Sequence, residues 1–132
     1  MRNVEILMVD DNPGDVMLLH EAFEDRGSRV VLRFAGDGIE ALGILRHGAT
    51  RPDLIVLDIN MPRMSGLELL AAIKNDPRLR DSTVIVLTGS DVPEERQAAK
   101  FLGAVDYCTK PGRLDGWAEL SARLENLVLT AR

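Results

Sequence analysis

The sequence predicts an α/β fold, a doubly wound parallel sheet in which five strands alternate with five helices across one domain of 132 residues. Three observations predict it. Short apolar runs recur along the chain, each followed by loop residues and then by apolar positions at helical spacing. One run, Leu54 to Leu57, is apolar at every position, as in a parallel strand covered by helices on both faces. Acidic and polar residues stand just beyond the runs, at the carboxyl edge where open parallel sheets gather function.

The first strand, Val4 to Val9, ends at Asp10, Asp11, Asn12, Pro13 and Gly14, a turn signal. From Asp15 onward Val16, Leu19 and Phe23 mark one face of a helix that stops near Gly27. Val30 to Phe34 is a strand interrupted by Arg33, which suits a position near the sheet edge. Gly38, Ala41, Leu42 and Leu45 follow i, i+3, i+4, i+7 spacing up to Gly48. Leu54 to Leu57 delivers Asp58, and after the loop Met61-Pro62-Arg63-Met64 a capping-box pair, Ser65 and Glu68, opens a helix whose inner face is Gly66, Leu69, Leu70 and Ile73. Thr83 to Leu87 is a second central strand ending at Thr88, Gly89 and Ser90, and a helix around Pro93 to Leu102 carries its proline in the first turn. Val105 to Thr109 is the fifth strand, closed by Lys110-Pro111-Gly112. The last helix, about Leu114 to Leu129, has Trp117, Leu120, Leu124, Leu127 and Val128 in one stripe.

A net charge of −5 and a pI near 5.0 argue against a nucleic-acid surface, which needs clustered Lys and Arg. No apolar run approaches membrane-spanning length and the amino terminus lacks a signal-peptide pattern, so a cytoplasmic protein is expected. The single cysteine, Cys108, reads as a reduced core residue rather than a redox sensor, and His20 and His47 read as exposed helix residues rather than ligands. Trp117 should pack on the sheet. Its alternative is a dimer interface, since Leu114 and Leu129 fall outside the stripe.

The strand ends bring Asp10, Asp11, Asp58, Thr88 and Lys110 to one rim. Two unit charges at ~4 Å interact by ~4 kcal/mol at an effective dielectric near 20, so three clustered carboxylates call for a divalent cation. Oxygen-only ligands suit Mg²⁺, which keeps several waters and shares phosphate oxygens. One carboxylate can then act as nucleophile toward phosphorus, and Asp58, alone at the end of a central strand, is the candidate. Lys110 supplies a point charge and Thr88 a hydroxyl to phosphoryl oxygens, with backbone N–H groups after Asp58 and at Gly89 completing the cradle.

The motifs VDD at 9 to 11, LDINMPRMSG at 57 to 66, LTGS at 87 to 90 and Lys110-Pro111 resemble, in order and spacing, a response-regulator receiver domain of two-component signalling. The resemblance implies a flavodoxin-like fold with strand order 2-1-3-4-5, phosphorylated on Asp58 by a histidine kinase. It further implies that Asp11 and Asp58 ligate Mg²⁺ (or Mn²⁺) directly, that Asn60 offers a backbone carbonyl and that Asp10 acts through water. Tyr107 matches an aromatic switch whose ring moves inward when the Thr88 hydroxyl turns toward the phosphoryl group. Lys110-Pro111 matches a peptide bond commonly cis in that family. Gly89 stands where the family more often has Ala or Ser. The DDNPGD opening resembles single-domain receivers paired with bacterial phytochrome-type histidine kinases.

Residues 1–132 are thus expected to form one receiver domain without an output domain, signalling through the face built from the fourth helix, fifth strand and fifth helix. Its partners would be a sensor histidine kinase and a downstream protein, with a homodimer through the fourth and fifth helices as a further expectation. A phosphorelay intermediate that passes the phosphoryl group on is an alternative, as is an aspartyl-phosphate phosphohydrolase. The last often carries an acid two residues after the nucleophile. Asn60 occupies that place here, and an amide cannot do general acid work.

Overall fold

A computed structural model describes residues 3–48 and 51–130. Its elements alternate as β1 (Val4–Val9), α1 (Pro13–Asp25), β2 (Val30–Ala35), α2 (Gly38–His47), β3 (Leu54–Leu57), α3 (Gly66–Asn75), β4 (Val84–Thr88), α4 (Pro93–Phe101), β5 (Asp106–Thr109) and α5 (Leu114–Thr130). All strand pairs are parallel, in the order β2-β1-β3-β4-β5. This is the flavodoxin-like α/β architecture expected from the sequence.

The two-residue period of the strands divides the core into two layers. On one side Leu7, Val9, Ile55, Leu57, Val84 and Val86 meet Ala41 and Leu45 of α2, Leu69 and Ile73 of α3, and Ala99 of α4. On the other, Ile6, Met8, Leu54, Val56, Ile85 and Leu87 meet Leu19 and Phe23 of α1 and Trp117, Leu120 and Leu124 of α5. Burial on both faces explains why β3, and β4 as far as Leu87, are apolar at every position, each such side chain contributing about 1.5–3 kcal/mol. β2 lies at the sheet edge, and Arg33 is exposed there as expected. Trp117 is buried against the sheet, Cys108 is buried and reduced, and His20 and His47 are exposed.

Element boundaries differ from expectation in small ways that have local causes. α1 begins at Pro13 rather than Asp15, because the Asn12 side chain caps it by accepting from the backbone N–H groups of Gly14 (3.0 Å) and Asp15 (3.3 Å). Residues 12 to 14 are therefore a helix start, not a turn. β4 runs one residue later than expected, since Thr88 still pairs with Thr109 of β5. Val105 lies just before β5 yet remains tied to β4 by its N–H to the Val84 carbonyl at 2.8 Å. The capping box of α3 forms as predicted, with Glu68 N–H to Ser65 Oγ and Ser65 N–H to Glu68 Oε1 both at 3.2 Å. No peptide bond among the described residues is cis, so Lys110-Pro111 is trans, the isomer favoured by about 0.5–1 kcal/mol for a residue before proline.

Candidate functional site

The carboxyl ends of β1 and β3 are neighbours in the sheet, and this adjacency brings the predicted acids together. Asp58 N–H donates to the Val9 carbonyl at 3.0 Å, and Asp10 N–H donates to Ala35 at 3.0 Å. Ligand oxygens of Asp10, Asp11 and Asp58 all lie within 4.8 Å of one another. Asp10 and Asp58 are buried while Asp11 is exposed, so the cluster opens to solvent on the Asp11 side. Oxygen donors at this spacing fit a hard divalent cation.

Lys110 answers the acids from the end of β5. Its backbone N–H donates to the Thr88 carbonyl at 2.7 Å, and its Nζ lies 2.8 Å from Asp10 Oδ2, 2.8 Å from Asp15 Oδ2 and 3.0 Å from Asp58 Oδ2. Burial opposes the ammonium charge, but the bonds to Asp10, Asp15 and Asp58 outweigh it and raise the Lys110 pKa above its ordinary value. For Asp10 the balance reverses: burial raises its pKa more than the Lys110 and Asn12 contacts lower it. The Asp10–Lys110 contact is close but poorly directed, and Asp10 Oδ2 lacks a well-aligned donor. Three carboxylates thus share one ammonium.

Polar contacts run from the acids to α4 along the loops that follow β3 and β4. Asn60 N–H points at Asp58 Oδ1 (3.4 Å), and its amide Nδ2 donates to Ser90 Oγ at 3.3 Å. Ser90 Oγ donates to Glu95 Oε1 at 3.1 Å and lies 3.3 Å from the hydroxyl of fully buried Thr88. Tyr107 is buried, its hydroxyl donating to the Ser90 carbonyl at 3.1 Å, with the Arg96 guanidinium 4.5 Å from its ring centroid. Burial, and then the nearby Glu95 charge, raise its pKa. The ring is therefore inward while the Thr88 hydroxyl faces Ser90. Gly89 opens onto free space, leaving room above the rim.

The predicted residues Asp10, Asp11, Asp58, Asn60, Thr88, Tyr107 and Lys110 all lie on this rim or on the chain of contacts leading from it. Sequence reasoning missed three others. Asp15 bonds Lys110, although its place in the first turn of α1 reads from sequence only as a complement to the helix dipole. Gly66 reads as part of a helix face, yet a Cβ there would sit 2.0 Å from the Asp58 carbonyl oxygen, so only glycine lets α3 start this close to β3. Arg63 holds a left-handed backbone conformation (φ 67°) and pairs with Asp37, the N-cap of α2, which ties the loop after Asp58 to a neighbouring helix.

Sheet order and acidic rim together are those of the receiver class of two-component proteins. The chain belongs to the response regulator receiver domain family, which residues 6–121 match. A crystal structure of the phosphorylated cyanobacterial phytochrome response regulator RcpA is similar, with a TM-score of 0.90 and 32% identity, over 98% of this chain and 96% of that one. The Mn²⁺-bound form of response regulator Rcp1 has a TM-score of 0.83 and 31% identity over 92% of this chain and 91% of its own. Among curated relatives, response regulator MprA of Mycobacterium sp. (strain KMS) is 38% identical over 95% of this chain. A probable cyclic di-GMP phosphodiesterase of Vibrio cholerae is 44% identical over 80% of it. The chain spans 50% of the former and 23% of the latter, so these relatives share a domain with it.

Proposed function

We propose that this receiver domain is a phosphorylation-dependent switch in which Asp58 accepts a phosphoryl group from the phosphohistidine of a sensor histidine kinase. The observation that carries the reading is Lys110 Nζ 3.0 Å from Asp58 Oδ2, beside an oxygen-only cluster. An Asp58 oxygen forms its bond to phosphorus as the phosphorus–nitrogen bond breaks and its electron pair returns to the imidazole. Asp11, Asp58 and the Asn60 carbonyl, with Asp10 acting through water, would hold a divalent cation such as Mg²⁺, which would supply charge neutralisation for the phosphoryl oxygens. Lys110 contributes a second positive charge, and Thr88 a hydroxyl once it leaves Ser90.

Output then follows the contacts already described. A Thr88 hydroxyl that turns to the phosphoryl group releases Ser90, whose partners are Glu95 on α4 and Tyr107 on β5. The face of α4, β5 and α5 is thereby coupled to the rim, and exposed Phe101, Val105, Leu114 and Leu129 give α4, the strand start and α5 apolar surface for a downstream protein or a second copy. Similarity to RcpA supports a phytochrome-type kinase as the donor. No helix among the described residues is long and apolar enough to cross a membrane, in keeping with a cytoplasmic partner.

Incubation with Mg²⁺ and acetyl phosphate followed by intact-mass measurement tests this. One hydroxylamine-labile phosphoryl group is expected, absent in Asp58→Asn. An adduct that persists in that variant, no adduct at all, or continued turnover of a small phosphoester would overturn it.

A further inference from the structure

We propose that Asp15 is a positioning residue for Lys110, keeping its ammonium aimed at the site when a divalent cation takes over the other carboxylates. The inference rests on the reading of Lys110 as a phosphoryl ligand. Three carboxylates meet Nζ, from Asp10, Asp15 and Asp58. An ammonium has three N–H donors; Asp15 and Asp58 accept two of them, and Asp10 lies beside the third without good alignment. Two of the three acceptors belong to the cluster that fits a cation, and a doubly charged ion there competes with a singly charged ammonium for their oxygens. Asp15 stands outside that cluster.

The geometry suits a tether. Asp15 comes from α1, whose start is fixed by the Asn12 cap on the Gly14 and Asp15 N–H groups and by Pro13 at its first position. Lys110 comes from the opposite side of the rim, fixed by its N–H to Thr88. Between these anchors runs only the four-carbon lysine stem, whose point charge is free to turn toward any acceptor. Asp15 Oδ2, at 2.8 Å and on a side chain that is 20% exposed, occupies one donor. The remaining donors stay directed at the place the phosphoryl oxygens would occupy. Without Asp15 the ammonium would have solvent as its competing partner once the cation arrives.

Lysine-ammonium ¹H–¹⁵N spectra in saturating Mg²⁺, combined with the rate of acetyl-phosphate adduct formation, test this in the wild type, Asp15→Ala, Asp15→Glu and Asp58→Asn. The chain has three lysines, Lys74, Lys100 and Lys110. Lys74 is an internal folding control, because its ammonium is held by the Arg80 and Ser82 carbonyls in the segment between α3 and β4. In Asp15→Ala the Lys110 signal should broaden into solvent exchange while that of Lys74 persists, and adduct formation should slow by roughly tenfold, the effect of one oriented charge-assisted hydrogen bond. Asp15→Glu should restore part of both. An unchanged Lys110 signal in Asp15→Ala overturns the tether whatever the rate does, and so does an unchanged rate. If Asp15→Ala also loses the Lys74 signal, Asp15→Asn replaces it under the same criteria. Absence of an adduct in the wild type would instead overturn the phosphoacceptor reading, leaving the spectra to decide the tether alone.

Discussion

Asp10 carries a pH dependence opposite to that of an ordinary salt-bridged acid. Burial holds its pKa above 3.8, so the native state binds this proton more tightly than the unfolded chain does. Stability from this group is therefore greatest below 3.8 and declines as pH rises through the higher folded value. Asp10→Asn, neutral throughout, is expected to stabilise the fold at neutral pH by on the order of 1 kcal/mol. The gain should fade in acid. Urea unfolding in the presence of a chelator at both pH values measures it, and a less stable variant at neutral pH would mean that the Lys110 contact outweighs desolvation. The same residues show how far the sequence could be read. Asp10, Asp11 and Asp58 were legible because each follows an apolar run, whereas Asp15 was not, since only the fold reveals that a residue of the first helix faces the end of the fifth strand.

At the scale of elements, the approach of α3 to β3 is the tightest constraint on the site. Gly66 N–H donates to the Ile59 carbonyl at 2.8 Å, and the space for a Cβ is already filled by the Asp58 backbone. Gly66→Ala must move either the helix start or Asp58, the proposed phosphoacceptor. A loss of about 1–3 kcal/mol is expected, the range for overpacking a close contact, together with slower adduct formation. Gly43→Ala is the matched control, because a Cβ there meets nothing within 4 Å and alanine favours the helix. Equal stability of the two variants would refute the constraint. Helix periodicity and the Ser65–Glu68 box placed α3 correctly from sequence. Spacing could not show that Gly66 serves β3 rather than the helix face, because the clash is with a residue outside the helix.

For the whole molecule, negative charge concentrated at one rim makes cation binding a matter of global stability. Any ligand that binds only the folded state stabilises it by RT ln(1 + [L]/Kd), about 2.7 kcal/mol at a hundredfold excess over Kd. Mg²⁺ should therefore raise the melting temperature by several degrees, and Asp11→Asn should reduce that rise, as followed by calorimetry. An equal rise with NaCl at matched ionic strength would indicate general screening instead. The architecture itself was readable because alternating apolar runs and helix patterns leave few topologies open. The trans Lys110-Pro111 bond was not, since the two isomers differ by so little energy that tertiary contacts set the outcome.

The division of the core into two layers has an optical consequence. The chain has one tyrosine and one tryptophan. Tyr107 belongs to the layer of α2, α3 and α4, and its hydroxyl is bonded at the rim; Trp117 belongs to the layer of α1 and α5, on the other face of the sheet. The protein therefore carries two native chromophores separated by its own sheet. Tyrosine absorbance is expected to follow events at the acidic rim, and tryptophan emission the integrity of the opposite layer, with no label added to either.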